Sequence, residues 1–315
     1  MKKIHLINPC AGHGRGKKIL EKLRESGTAD EIFMPQCAED FSSYIAKRAA
    51  EEENVHFQVY GGDGTVYHTV NGIMAAKDRK NVSFGVTRMG SGNDFIRSFD
   101  GDEPRPIDLI KFNGRYSANM LNVGFDCSVV IRSHKYKKSP LVSGSMAYIM
   151  GVVSELIHKK PLVTSVRMEL ADGTVKELKD HAFLFIAIAN GRFCGGGFEG
   201  APAAKTDDGL LDVLLVHDLN RREFIKLVSD YHNGTHVDRK TGRALKKFES
   251  KIVYEKCRSV FIDRIDCVCA DGEILEDKFL DVTVERLPLA YAPNLGCLPP
   301  DLSAIISDKE PELIS

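Results

Sequence analysis

The first hundred residues alternate between two hydrophobic periods. Short apolar runs of strand length, Ile4 to Ile7, Glu31 to Met34, Val55 to Tyr60 and Val82 to Val86, are separated by the helical patterns Lys17 to Leu23 and Asp40 to Ala50. A further helix follows the third run, with Val66, Val70 and Ile73 on one face. Strands that alternate with helices predict a parallel sheet covered on both faces. From about Ile107 the pattern changes. Val163 to Leu170, Val175 to Leu178, Phe183 to Ala189, Leu211 to Val216, Ile252 to Glu255, Ser259 to Ile262 and Leu280 to Val284 read as strands, with Asp172-Gly173 as a hairpin turn. Helical patterns interrupt them only at Leu141 to Ile157 and Arg222 to Tyr231. The expected architecture is an α/β, parallel-sheet domain over residues 1–106 and a mainly antiparallel domain over 107–287, with the Pro-bearing tail 288–315 free to pack back on the first.

Length and charge narrow the partners. A chain of 315 residues can bury two cores, and a net charge of −1 gives the whole molecule no strong attraction to nucleic acid or acidic lipid. Eight cysteines in a chain that opens without a long apolar segment suggest reduced thiols in a cytoplasm. No apolar run is long enough to span a bilayer. Cys267 and Cys269 share a strand face but lack the spacing of common zinc sites. His232 and His236 are interrupted by Asn233-Gly234, which should end a helix and leave a surface turn. The basic runs Arg132 to Lys138 and Arg239 to Lys247 read first as solvated faces, and would also suit docking on anionic headgroups.

The candidate chemistry lies in loops at the carboxyl ends of the predicted parallel strands, where such sheets bind ligands. Gly61-Gly62-Asp63-Gly64-Thr65 joins the third strand to its helix; glycines let the backbone approach a ligand, and the helix start offers N–H groups to phosphate oxygens. A carboxylate at Asp63 would repel a polyphosphate unless a divalent cation lay between them, so the turn reads as a site for a metal-bound nucleotide; an ordinary capped turn is the alternative. Two more polar glycine loops, Asn8-Pro9-Cys10-Ala11-Gly12-His13-Gly14-Arg15-Gly16-Lys17 and Met89-Gly90-Ser91-Gly92-Asn93-Asp94-Phe95, fall on the same sheet edge.

Six short motifs then occur in one order: Asn8-Pro9-x-x-Gly12; Gly61-Gly62-Asp63-Gly64-Thr65 with Val70-Asn71-Gly72; Gly90-Ser91-Gly92-Asn93-Asp94-Phe95; Asn122-Val123-Gly124-Phe125-Asp126; Asp207-Asp208-Gly209-Leu210-Leu211-Asp212; and Asp271-Gly272-Glu273. From residue 8 to about 285 the chain resembles the soluble bacterial lipid kinases of the diacylglycerol kinase catalytic family, which are related to NAD kinases. The resemblance implies an α/β nucleotide domain beside a β-sandwich lipid-substrate domain, with ATP and Mg2+ as cofactors. It further implies that Asn8, Pro9, Gly12, Gly62, Asp63, Gly64, Thr65, Ser91, Asn93 and Asp94 bind ATP. Glu273 would be the catalytic base, and Asp63 and Asp126 would hold a catalytic magnesium and its water near it. The resemblance also places a structural magnesium on the Asp208 carboxylate and the Lys205 and Leu210 carbonyls, where the residues alone read as a hairpin turn.

A lipid substrate at the membrane surface is the implied partner, reached from the cytoplasm by peripheral contact with the inner face. An exposed apolar strand edge in the second domain would allow a homodimer. Tyr67-His68 stands where the family carries Asn-Glu, and Ser91 where it carries Thr. A Thr expected near Gln36 and Cys37 is absent. Three functions stay open: a kinase for diacylglycerol or a related lipid, a kinase for a soluble acceptor such as NAD, and a nucleotide-binding regulatory protein without turnover.

Overall fold

A computed structural model describes residues 1–36, 38–77, 79–90, 92–136 and 161–293. Ser91, Cys37 and the helix expected over Leu141 to Ile157 lie outside the described residues. The chain divides into two compact units: Met1–Gly90 with Gly101–Pro106 and the segment that begins at Leu289, and Ser91–Asp100 with Ile107–Pro288.

The first unit is built as the alternating periods require. Strands β1 (Lys2–Ile7), β2 (Glu31–Phe33), β3 (Asn54–Gly61) and β4 (Asn81–Arg88) pair in parallel in the order β4-β3-β1-β2. Helices α1 (Arg15–Glu25), α2 (Ala38–Glu51) and α3 (Asp63–Ala75) cross between them. Seven consecutive residues of β3, from Val55 to Gly61, are buried, as expected of a central strand covered on both faces. Burying each of Val55, Phe57 and Val59 contributes about 1.5–3 kcal/mol. Ala290 and Tyr291, the end of a later strand, add to the edge by pairing in parallel with Ser83 and Phe84.

The second unit contains the short helix α4 (Asp94–Arg97), strand β5 (Arg105–Phe112) from Ile107 onward, β6 (Arg115–Ser117) and β7 (Met120–Gly124). Helix α5 (Phe125–Tyr136) follows, then β8 (Leu162–Leu170), β9 (Val175–Ala189), β10 (Leu211–His217) and helix α6 (Arg221–His232). The small hairpin β11 (Val237–Asp238) and β12 (Arg243–Ala244) precedes β13 (Ile252–Ile262), β14 (Cys267–Ala270), β15 (Glu273–Glu276) and β16 (Leu280–Tyr291). Its sheet runs β15-β14-β7-β9-β10-β13, and β8 pairs antiparallel with both β13 and β9, a sandwich-like arrangement. Phe125, Leu184, Leu214, Leu227 and Tyr254 are among its core.

Two pairs of expected strands are single strands. Val175 to Leu178 and Phe183 to Ala189 join as β9 through Asp180, whose φ of 49° interrupts the alternation without ending the strand. Ile252 to Glu255 and Ser259 to Ile262 join as β13 across a register shift at Cys257/Ser259. Helix α6 ends at His232 with Gly234 at φ 66°, as the Asn233-Gly234 break predicts. His236 corrects the expected surface turn: it is fully buried, with Nε2 3.1 Å from the Gly200 carbonyl oxygen.

Candidate active site

In the first unit three strand-end loops are fastened to one another. The Asn8 Nδ2 donates to Thr65 Oγ1 (2.9 Å), which ties the loop after β1 to the first turn of α3. The Asn8 Oδ1 accepts from the Cys10 amide (2.9 Å), and the Asn8 amide donates to the Tyr60 carbonyl (3.0 Å). The Met89 amide donates to the Gly61 carbonyl (3.2 Å), which ties in the loop after β4. These contacts bring Asn8, Gly62, Asp63, Gly64 and Thr65 together, with half-exposed Pro9 next to Asn8. Gly12 lies in the single 3-10 turn Ala11–Gly14 of the same loop.

Absent side chains make this packing possible. A methyl group at Gly62 would lie 2.9 Å from Gly90 Cα, and one at Gly16 would lie 2.5 Å from the Asn8 carbonyl oxygen and 3.1 Å from Pro9 Cα. Both neighbours are backbone, so neither can give way by rotating a side chain.

Helix ends differ between α6 and the helices of this loop cluster. Asn220 caps α6 by accepting from the Arg222 and Glu223 amides, and the Glu223 carboxylate accepts from the Asn220 amide. Helices α1 and α3 begin at Gly14 and Gly62, with no side-chain cap hydrogen bond. A helix start without a side-chain cap is an arrangement suited to an anion. The first turn of α1 holds Arg15, Lys17 and Lys18 and no acid, whereas that of α3 holds Asp63. Tyr67, at the family's Asn position, is buried on the core face of α3, and His68 is half-buried with its ring edge-on to Tyr67 at 5.4 Å.

The remaining expected residues belong to the second unit. Asn93 precedes α4 at φ 54°, and Asp94 is buried with its Oδ2 accepting from the Gly196 amide (2.9 Å). That bond gives Asp94 a role in holding the glycine loop around residue 196. Asp126 lies in the first turn of α5, directly after β7.

Glu273 opens β15 and is half-buried. It follows a two-residue hairpin turn in which Asp271 (φ 47°) and Gly272 (φ 89°) are both left-handed. Asp271 holds that turn. Its Oδ1 accepts from Ser117 Oγ (2.7 Å) and the Asn119 and Met120 amides (3.0 Å each), and its Oδ2 accepts from the Ala118 amide (2.8 Å). Burial pushes the Asp271 carboxyl up to about 6, while the Ser117 hydroxyl and the surrounding amides act in the opposite direction. The Asp-Gly-Glu motif marks the turn in the sequence, but the donors that fix it lie about 150 residues earlier and carry no local signal.

The two metal readings separate on donor chemistry. For the structural site, Asp208 Oδ1 accepts from the Leu210 amide (3.1 Å) and Oδ2 lies 2.8 Å from Lys256 Nζ. The same ammonium is 2.9 Å from Asp212 Oδ2, and Tyr254 donates to Asp212 Oδ1 (2.8 Å). The single charge of Lys256 is thus shared between the Asp208 and Asp212 carboxylates, beside the turn that also holds Lys205 and Leu210. For the catalytic magnesium, no group of three acidic, His or Cys side chains could hold a metal among the described residues. Magnesium that travels with a nucleotide needs only one or two protein carboxylates, the phosphates and water supplying the rest. Buried Asn122 Oδ1, on the strand that leads to Asp126, has no hydrogen-bond partner among the described residues and is a hard oxygen suited to a metal-bound water.

Comparison with known proteins places this architecture, a parallel unit with three fastened glycine loops and a sandwich-like antiparallel unit, in one family of enzymes. The diacylglycerol kinase catalytic domain profile matches residues 2–119, and the YegS C-terminal NAD kinase beta sandwich-like domain profile matches residues 119–291. The chain belongs to the diacylglycerol kinase/YegS-like lipid kinase family. Among its relatives, a Bacillus subtilis protein named diacylglycerol kinase is 28% identical over 283 residues, covering 84% of this chain and 86% of the relative. A Staphylococcus carnosus diacylglycerol kinase is 29% identical over 280 residues, covering 83% and 84%. A probable YegS-like lipid kinase of Chromohalobacter salexigens is 28% identical over 203 residues, covering 60% and 63%. The crystal structure of a putative diacylglycerol kinase from Bacillus anthracis shares the fold with a TM-score of 0.68 at 23% identity, over 93% of this chain and 97% of that one. Among the described residues no helix is long and apolar enough to cross a membrane.

Proposed function

We propose that this protein transfers the γ-phosphate of ATP to a hydroxyl of diacylglycerol or a related lipid, with Glu273 as general base. The observation that carries the nucleotide half is the fastening of three glycine loops around the uncapped start of α3. Phosphoryl transfer asks the protein mainly for positioning and charge neutralisation. The α1 and α3 amides bind phosphate oxygens, Asn8 holds Thr65 in place, and the bare backbone at Gly62 lets the nucleotide approach. Asp63 would hold the magnesium that accompanies ATP; when bound, that ion neutralises charge on the transferred group. Glu273 accepts the proton of the lipid hydroxyl, late in the transfer when that proton has become acidic. Asp271 fixes the turn on which Glu273 stands.

The acceptor class rests on family membership and on the Asp-Gly-Glu turn. Peripheral contact with an anionic membrane would be made by exposed cations such as Arg239, Lys240 and Arg243 in and around the β11–β12 hairpin. Radiolabelled phosphate transfer from ATP and magnesium to a panel of lipids in mixed micelles, with NAD as the soluble competitor, tests the reading. Product in a lipid lane supports it. Product only with NAD moves the chain to a soluble acceptor, and no product at saturating ATP in any lane argues for a regulatory relative.

A further inference from the structure

Cys127 and Cys267 are 140 positions apart in the chain, and their sulfurs are 2.9 Å apart in the fold. Cys127 lies in the first turn of α5 and is fully buried; Cys267 begins β14 and is half-buried. Helix α5 packs on β14, so the pair joins two elements that are already in contact. A disulfide bond is about 2.05 Å long, so closing it requires a movement of under about 1 Å.

We propose that Cys127 and Cys267 form a site of reversible oxidation, closing to a disulfide that fastens the start of α5 to β14. Cys267 is the more accessible thiol and the one a peroxide meets first. Its thiolate attacks the O–O bond, an S–O bond forms, and hydroxide or alkoxide leaves. The Cys127 sulfur then attacks the Cys267 sulfur. The S–S bond forms as the S–O bond breaks, and the departing hydroxide takes the thiol proton as water. Two thiols lose two electrons and two protons, and hydrogen peroxide becomes two waters. A dithiol reductant reverses the bond by exchange. The hydrogen bond from the Cys127 thiol lowers the Cys267 thiol, against burial and the Asp266 and Glu276 charges. Cys257, by contrast, is pushed up to about 12 by burial and has no place in this chemistry.

The two elements carry the candidate chemistry. Asp126 precedes Cys127 on α5, and β14 leads through Ala270 into the turn before Glu273. The bond itself does not depend on the kinase reading and is tested without turnover. The full chain is treated with hydrogen peroxide, blocked with a maleimide and digested with trypsin without reduction. Residues 116–132 and 265–278 should appear as one cross-linked species lighter by two hydrogens, and should separate on treatment with dithiothreitol. The second peptide also holds Cys269. The cross-link should therefore vanish in Cys127→Ser and in Cys267→Ser and persist in Cys269→Ser. Amide exchange in the first turns of α5 should slow at least about twofold in the oxidised Cys269→Ser protein. Oxidation of Cys267 to sulfinic acid without a cross-link, or loss of the cross-link in Cys269→Ser alone, would overturn the proposal.

Discussion

At Gly62 the chain is held close to Gly90 by the lack of a side chain, whereas at Asp271 a turn is held by one side chain buried among four donors. Both solve the problem of fixing a loop at a strand end. The glycine solution uses no side-chain acceptor and makes the glycine loops sensitive to added volume. The carboxylate solution consumes its amides internally, so the Asp271 turn gains rigidity at the residue before Gly272 and Glu273. A phosphate site needs the first arrangement and a positioned base needs the second.

Substitutions that exchange these properties should break the comparison where it is wrong. Asp63→Asn removes the acid at the start of α3 and should lower kcat/KM on the order of 100-fold, with the loss concentrated in magnesium-nucleotide use. A titration of magnesium at fixed ATP checks this. Asp271→Asn puts an amide NH2 among N–H donors. It should lower kcat about 10- to 100-fold through misplacement of Glu273, with the nucleotide KM unchanged. Gly62→Ala should do the reverse, raising the nucleotide KM about tenfold with a smaller change in kcat. Steady-state kinetics on the pair, with thermal unfolding to confirm both folds, decides whether the two turns act separately.

The smallest effect concerns stability. His56 is fully buried in β3, and burial lowers it from 6.5 to about 4, against the Gln58 hydrogen bond, which raises it. Between those values the unfolded chain binds the proton more tightly than the folded chain. Stability from this group is therefore complete above pH 6.5 and is lost as pH falls through about 4, with a total of about 3 kcal/mol. Urea unfolding between pH 4 and 7 should show this slope, and His56→Gln should flatten it.

The first unit was largely legible because period and loop chemistry agree at every step, from the buried run in β3 to the glycines that follow it. The second unit was less so. Strands β5, β6 and β7 went unread although Ile107, Leu109, Ile110 and Phe112 are buried and Asn113-Gly114, at φ 43° and 78°, is a hairpin signature. Strands β9 and β13 read as broken because a left-handed Asp180 and a bulge disturb the alternation without stopping the ladder. In the candidate site, motif spacing exposed Asn8, Asp63 and Thr65. It could not show that Lys256 reaches Asp208 across 48 positions or that Ser117 to Met120 enclose Asp271, because such contacts are properties of the folded sheet.

Single-turnover phosphate transfer by Glu273→Gln, with nucleotide affinity measured on the same sample, bears most directly on the division between a nucleotide cradle and a separate base. The account predicts a rate lower by about 10²- to 10⁴-fold with ATP affinity within about twofold of the unaltered protein. A rate within about threefold at unchanged affinity would contradict it and remove Glu273 from the chemistry.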